Sequence, residues 1–144
     1  MIMTVDAVYL ASMFDHRGGV YISKTLKKIP ADYRLDLVFT NQDPTAFYEF
    51  RDKLNFLGNV RRDGTSWRWV ISSTAALDLL LPIDPYLRLK KEEVELALRF
   101  LATVQLQSEM KTRLTPEVLE LREYCYQKMK KMKLEYAKGG TNDD

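Results

Sequence analysis

An α+β fold, a four-stranded antiparallel sheet with helices on one face, follows from three observations on this 144-residue chain. First, the apolar spacing runs helix, alternation, alternation, and then repeats that order before turning helical for good. Second, Asp63-Gly64 separates two runs of extended character, a strong short-range hairpin signal. Third, no strand-helix-strand alternation, glycine-rich phosphate loop or repeat array interrupts the pattern, which excludes doubly wound and solenoid architectures.

The first element is a short apolar helix over Thr4–Phe14, ending in an abrupt Asp15-His16-Arg17-Gly18-Gly19 turn. Ala7, Ala11 and Ser12 lie at i, i+4 and i+5, so one flank is nearly bare of side chain and open to close helix approach. Tyr9, Leu10, Met13 and Phe14 are left to face a core. Alternation then begins. Val20–Leu26 reads as a strand with Val20 and Ile22 inward and Tyr21, Ser23 and Thr25 outward. Lys27–Asp32 is a loop, and Tyr33–Thr40 is a second strand with Leu35, Leu37 and Phe39 inward and Arg34, Asp36 and Val38 outward. Strands with one polar face each form an antiparallel pair whose second face meets water or a polar ligand.

Asp43 as N-cap and Pro44 at the first helical position open the next helix, with Phe47, Phe50 and Leu54 as its apolar stripe and Gly58 past its end. Asn59–Arg62 and Ser66–Ile71 form the hairpin, with Trp67, Trp69 and Ile71 on one face and Arg68 and Val70 on the other. The tryptophans read as core rather than as a stacking platform for bases. Three helices complete the chain: Thr74–Leu81 ending at Pro82, Glu92–Leu106, and a last one with Thr115 as N-cap and Pro116 at the first position. Lys128, Lys130, Lys131 and Lys133 are expected at its C-terminal end, where the helix dipole favours cations. Residues 1–138 form one domain and 139–144 a flexible tail.

Composition narrows the chemistry. The chain is 46% apolar and 29% charged, as in a globular protein. One cysteine (Cys125) and one histidine (His16) argue against a disulfide framework, a Cys/His metal cage and Ser-His-Asp catalysis. No apolar stretch approaches the roughly 18 residues of a membrane span, so no membrane partner is expected and the default location is cytoplasmic, or organellar if encoded there. A net charge of +2 decides little, but Arg17, Lys24, Lys27, Lys28 and Arg34 face only Asp32 over their stretch.

Leu10-Ala11-Ser12-Met13-Phe14-Asp15-His16-Arg17-Gly18 resembles the nine-residue signature of the LAGLIDADG homing endonucleases. Leu, Ala, two apolar residues, the first Asp and the final Gly stand in place; Ser12 replaces the third-position glycine and Arg17 the eighth-position acid. Thr40-Asn41-Gln42-Asp43, Leu87–Glu92 and Thr115-Pro116-Glu117 also resemble the family, and the likeness runs over residues 4–135.

The resemblance implies a homodimer, since the family pairs two signatures and this chain carries one. Ala7, Val8, Ala11 and Ser12 would meet their mates across a two-fold axis. The outward residues then face double-stranded DNA, at a pseudopalindromic site: Tyr21, Ser23, Thr25, Arg34, Asp36, Val38, Arg61, Arg68 and Val70 toward bases, Lys27 and Lys28 toward phosphates. Arg17, Lys90 and Asn41 occupy the family's catalytic-pocket positions. A guanidinium has no lone pair for Mg²⁺ and repels it, so no metal or other cofactor and no small-molecule substrate is expected, and cleavage is expected to be impaired. The alternatives are an active Mg²⁺-dependent endonuclease with displaced ligands and an intron-RNA maturase.

Overall fold

Helix α1 (Thr4–Arg17) passes directly into strand β1 (Gly18–Thr25) in the computed structural model, which describes residues 2–27, 31–110 and 115–142, with side chains of 106–110 and 137–142 left aside. The expected turn at 15–19 is absent because the helix continues through Asp15, His16 and Arg17. Gly18 makes the direct passage possible: a Cβ there would lie 2.3 Å from the Phe14 ring. Lys28 lies outside the described residues.

Strands β1, β2 (Asp32–Asn41), β3 (Asn59–Asp63) and β4 (Ser66–Ser72) form one antiparallel sheet in the order β1-β2-β4-β3. Asp63 pairs with Ser66, so the hairpin turns through Gly64 and Thr65, one residue later than Asp63-Gly64. The register divides side chains as alternation requires. Val20, Leu35, Leu37, Phe39, Trp69 and Ile71 fall on the inner face and are buried. Trp69 stacks on Phe39 at 5.1 Å and donates its indole N–H to the Leu57 carbonyl at 2.9 Å, so the tryptophan is core.

Between the two hairpins, α2 (Thr45–Lys53) starts one residue later than expected: Pro44 occupies the cap, and Asp43 accepts from the Thr45 N–H at 2.9 Å. Phe47 and Phe50 bury its apolar stripe. Its exit runs through positive φ at Asn55, Phe56 and Gly58. Gly58 is also held close, since a Cβ would meet the Val70 carbonyl at 2.6 Å.

The remaining helices cover the inner face. A 3₁₀ turn (Ser73–Ala76) precedes α3 (Leu77–Ile83), and a second (Asp84–Tyr86) follows it. Pro82 therefore sits inside α3 instead of ending it; burial of Leu79, Leu80 and Ile83 outweighs the lost N–H. Helix α4 (Lys91–Met110) extends past Leu106, burying Val94, Ala97 and Leu101. Helix α5 (Pro116–Asn142) begins under the Thr115 cap, whose hydroxyl accepts from the Val118 N–H at 3.3 Å. It includes residues 139–142 of the expected tail, glycine cost being about 1 kcal/mol per residue and no barrier in itself. Lys128–Lys133 consequently lie in mid-helix, outside the reach of the C-terminal dipole.

Candidate nucleic-acid interface

The outer face of the sheet is read off the pairing register. Tyr21 lies opposite Asp36 and Asp36 opposite Ser72; Ser23 lies opposite Arg34; Thr40 lies opposite Arg68 and Arg68 opposite Arg61. One surface thus carries Tyr21, Ser23, Thr25, Arg34, Asp36, Arg61, Arg68 and Val70 together. Tyr21, Ser23, Thr25, Arg34 and Arg61 are exposed, and Asp36, Arg68 and Val70 half-buried. Lys27 is exposed just past β1. Val38 is the exception. It shares the face, opposite Gly19 and Val70, but is only 5% exposed and offers little surface to a base. Lys24 turns to the inner face, where it bonds Glu123 at 2.5 Å, and adds nothing to the outer charge.

Six further residues share the outer face, among them two exposed carboxylates, Asp32 opposite Thr25 and Asp63 opposite Ser66. Thr40 is exposed opposite Arg68, and Asn59 is exposed opposite Val70; Ser66 and Ser72 are half-buried at the two ends of β4. Continuing the two-residue period from Arg34, Val38, Arg61, Arg68 and Val70 finds all six. Arg61 and Arg68 stand directly opposed, an unfavourable like-charge pair that an anion would relieve. Arg68 is partly compensated by Asp63 at 3.5 Å.

Where α1 enters β1, two residues of one helical turn point opposite ways. Asp15 faces in, and its carboxylate accepts from the backbone N–H groups of Arg88, Leu89 and Lys90 at 2.9, 3.0 and 3.0 Å, capping the approach to α4. Arg17 faces out into a pocket of about 430 Å³ lined also by His16, Thr40, Asn41, Gln42 and Ser66. Asn41 is close by, but its side-chain oxygen accepts from the Gln42 N–H at 2.7 Å. Lys90 is not part of that lining: its ammonium bonds the Gly18 carbonyl. Burial holds the Lys90 amine below the usual lysine range; Glu93 and Asp15 oppose that and Lys133 adds to it. The three pocket positions are therefore split, Arg17 and Asn41 on one side and Lys90 behind the strand.

The donor set does not suit a hard divalent cation. Such ions need several oxygen ligands, usually carboxylates. The Arg17 pocket has no carboxylate in its lining, and both oxygens of Asp15 are engaged by backbone amides. Among the described residues no group of three His, Cys, Asp or Glu side chains is placed to hold a metal.

On the far side of the strand, Glu93 on α4 is fully buried. It accepts from the Val20 N–H at 2.6 Å and from Lys133 at 3.0 Å, and the Lys133 ammonium also lies 4.4 Å above the Tyr21 ring. Lys133 thus belongs to the packing of the sheet edge. Its partner lies on another helix, where no local spacing reveals it.

The bare flank expected on α1 is not a surface. Ala7 and Ala11 are buried, at 3% and 0% exposure, on a helix that packs against β1, β2, α3 and the Asp84–Tyr86 turn. Of the expected interface residues Val8 and Ser12 do face outward, together with Val5 and Tyr9, at 78% and 53% exposure. Tyr9, expected in the core, only leans on Phe50 at 5.5 Å.

No protein-family model matches the sequence, and no curated protein matches it. Solved structures do. The homing endonuclease I-CvuI in complex with its target aligns over 88% of this chain and 80% of its own, at 18% identity and a TM-score of 0.70. The archaeal intron-encoded homing endonuclease I-Vdi141I complexed with DNA aligns over 88% and 83%, at 9% identity and 0.75. The LAGLIDADG homing endonuclease I-GzeII in complex with its DNA target aligns over 85% of this chain but 43% of its own, at 16% and 0.69. The fold is that of the LAGLIDADG homing endonucleases. Among the described residues no helix is long and apolar enough to cross a membrane.

Proposed function

We propose that this chain is a homodimeric, sequence-specific double-stranded-DNA-binding protein whose cleavage is lost or strongly impaired. The carrying observation is the shared outer face. Tyr21, Ser23, Thr25, Arg34, Arg61 and Arg68 come from all four strands and meet on one surface of a fold whose solved neighbours include endonucleases complexed with DNA. Arginines and hydroxyls in such a sheet suit the donor and acceptor pattern of a major groove.

Impaired cleavage rests on Arg17. The pocket beside the signature's eighth position offers amides, hydroxyls and a guanidinium, which bind phosphate well and Mg²⁺ poorly. Dimerisation is supported by the outward flank of α1. A helix apolar on both sides normally has both sides covered, and here Val5, Val8 and Tyr9 face solvent in the single chain. Two copies packed there would bring the Arg17 pairs together, a repulsion that a phosphate backbone relieves.

The test is selection of bound sequences from random duplex DNA, followed by incubation of the selected duplex with protein and Mg²⁺ or Mn²⁺. A pseudopalindrome, bound with affinity that falls steeply as salt rises and left intact by the metal, is the expected result. Specific double-strand cuts would establish an active endonuclease instead, and preferential competition by structured RNA would point to the maturase alternative.

A further inference from the structure

Asp36 is a carboxylate on a face built for a polyanion, and its bonds show what offsets that cost. Its Oδ1 accepts from Arg34 Nε at 3.1 Å and from the Ser72 hydroxyl at 2.5 Å, while Ser72 Oγ accepts from Arg34 Nη2 at 3.0 Å. Three side chains from two strands close a ring. The ring engages the Nε–Nη2 edge of the guanidinium and leaves its Nη1–Nη2 edge unengaged among the described residues, on a side chain that is 65% exposed. That remaining fork is the one that fits O6 and N7 of a guanine.

We infer that Arg34 is a guanine-reading residue and that Asp36 and Ser72 are its positioning residues, Asp36 reading no base itself. This rests on the DNA-binding reading above. A long side chain loses rotamer freedom when it docks, and a ring that fixes it beforehand converts attraction to phosphate into preference for one base. Arg61 and Arg68 lack such a ring. Opposed to each other, they suit phosphate, which sets register without reading sequence.

Selection from random duplex DNA with the full chain tests this. The wild type is expected to prefer guanine at one position of each half-site by roughly tenfold or more. Arg34→Ala and Arg34→Lys should erase that preference, Lys retaining the charge without the fork. Asp36→Ala and Ser72→Ala should weaken it several-fold at the same position and leave every other position of the recovered site unchanged, which a general loss of folding would not do. A wild-type site without that guanine, a guanine indifferent to Asp36→Ala, or loss of a cytosine preference in Asp36→Ala would overturn the inference while DNA binding stands. If the wild type enriches no duplex at all, the DNA-binding reading fails first.

Discussion

The two sides of β1 and β2 handle charge in opposite ways. Behind the sheet, carboxylates are consumed by the fold: Asp15 by three backbone amides at the start of α4, Glu93 by the Val20 N–H and Lys133. In front, Asp36 only steadies an exposed arginine, while Arg61 and the Arg17 guanidinium stand in solvent. The difference lies in dielectric surroundings. A buried charge must be met by the chain itself, whereas an exposed one can wait for a partner. Asp15 and Arg17, two residues apart, fall on either side of this divide, and the Asp15 carboxylate, held by backbone amides, does not line the Arg17 pocket.

The largest effect should come from breaking the inner side. Asp15→Ala leaves three amides near the start of α4 without an acceptor and should cost roughly 2–4 kcal/mol, read from urea unfolding. A loss under about 0.5 kcal/mol, the range of ordinary surface substitutions, would place Asp15 with the outer groups after all.

Helix α1 repeats the comparison on a smaller scale. Ala11 is sealed in the core and Val8 is 46% exposed one turn earlier. Ala11→Leu should overpack its fully buried site in the core and cost about 1–3 kcal/mol. Val8→Asp should change unfolding by about 0.5 kcal/mol or less yet abolish self-association in sedimentation equilibrium. A Val8→Asp variant that still dimerises would remove this flank from the interface.

How far these faces were legible in the sequence depends on contrast. Period two separates strand faces without ambiguity, so both hairpins and nearly all outer-face residues follow from alternation. From Ala7 to Phe14 α1 is apolar but for Ser12, so periodicity has no polar stripe to orient it and puts Ala7 and Ala11 on the wrong side. Val38 obeys its parity and is nonetheless only 5% exposed, a burial that parity does not report. Pro82 shows tertiary burial overriding a local stop signal. The partners of Asp15 lie 73 to 75 residues further along, a separation no spacing rule reaches.

Substituting at the divide itself should alter chemistry and leave stability nearly unchanged. Arg17→Asp places an acid in an exposed pocket, so unfolding should move by about 0.5 kcal/mol or less. Mg²⁺-dependent nicking of the selected duplex should appear, assayed on supercoiled plasmid carrying that site. If Arg17→Asp nicks no more than the wild type, the proposal that Arg17 alone blocks cleavage fails, and Lys90, held on the Gly18 carbonyl, becomes the next group to examine.

The smallest effect belongs to a pair that is neither sealed nor open. Glu123 accepts from Lys24 and Tyr33, both at 2.5 Å, and from Gln127 at 2.8 Å, and these hydrogen bonds hold its carboxyl down to about 2. A carboxylate whose folded pKa is lowered stabilises above its unfolded pKa, and that contribution is lost as pH falls through the folded value. The same bond to Glu123 raises the Lys24 amine, whose contribution persists until pH rises beyond the lysine range. Stability should therefore be flat near neutrality and decline between about pH 5 and pH 2, and the Glu123→Gln variant should show a shallower decline. The pair is one-quarter to one-third exposed, so solvent screening keeps the difference modest, and added salt should shrink it further. Equal acid slopes for wild type and variant would show that this contact, for all its short distances, behaves as an outer one.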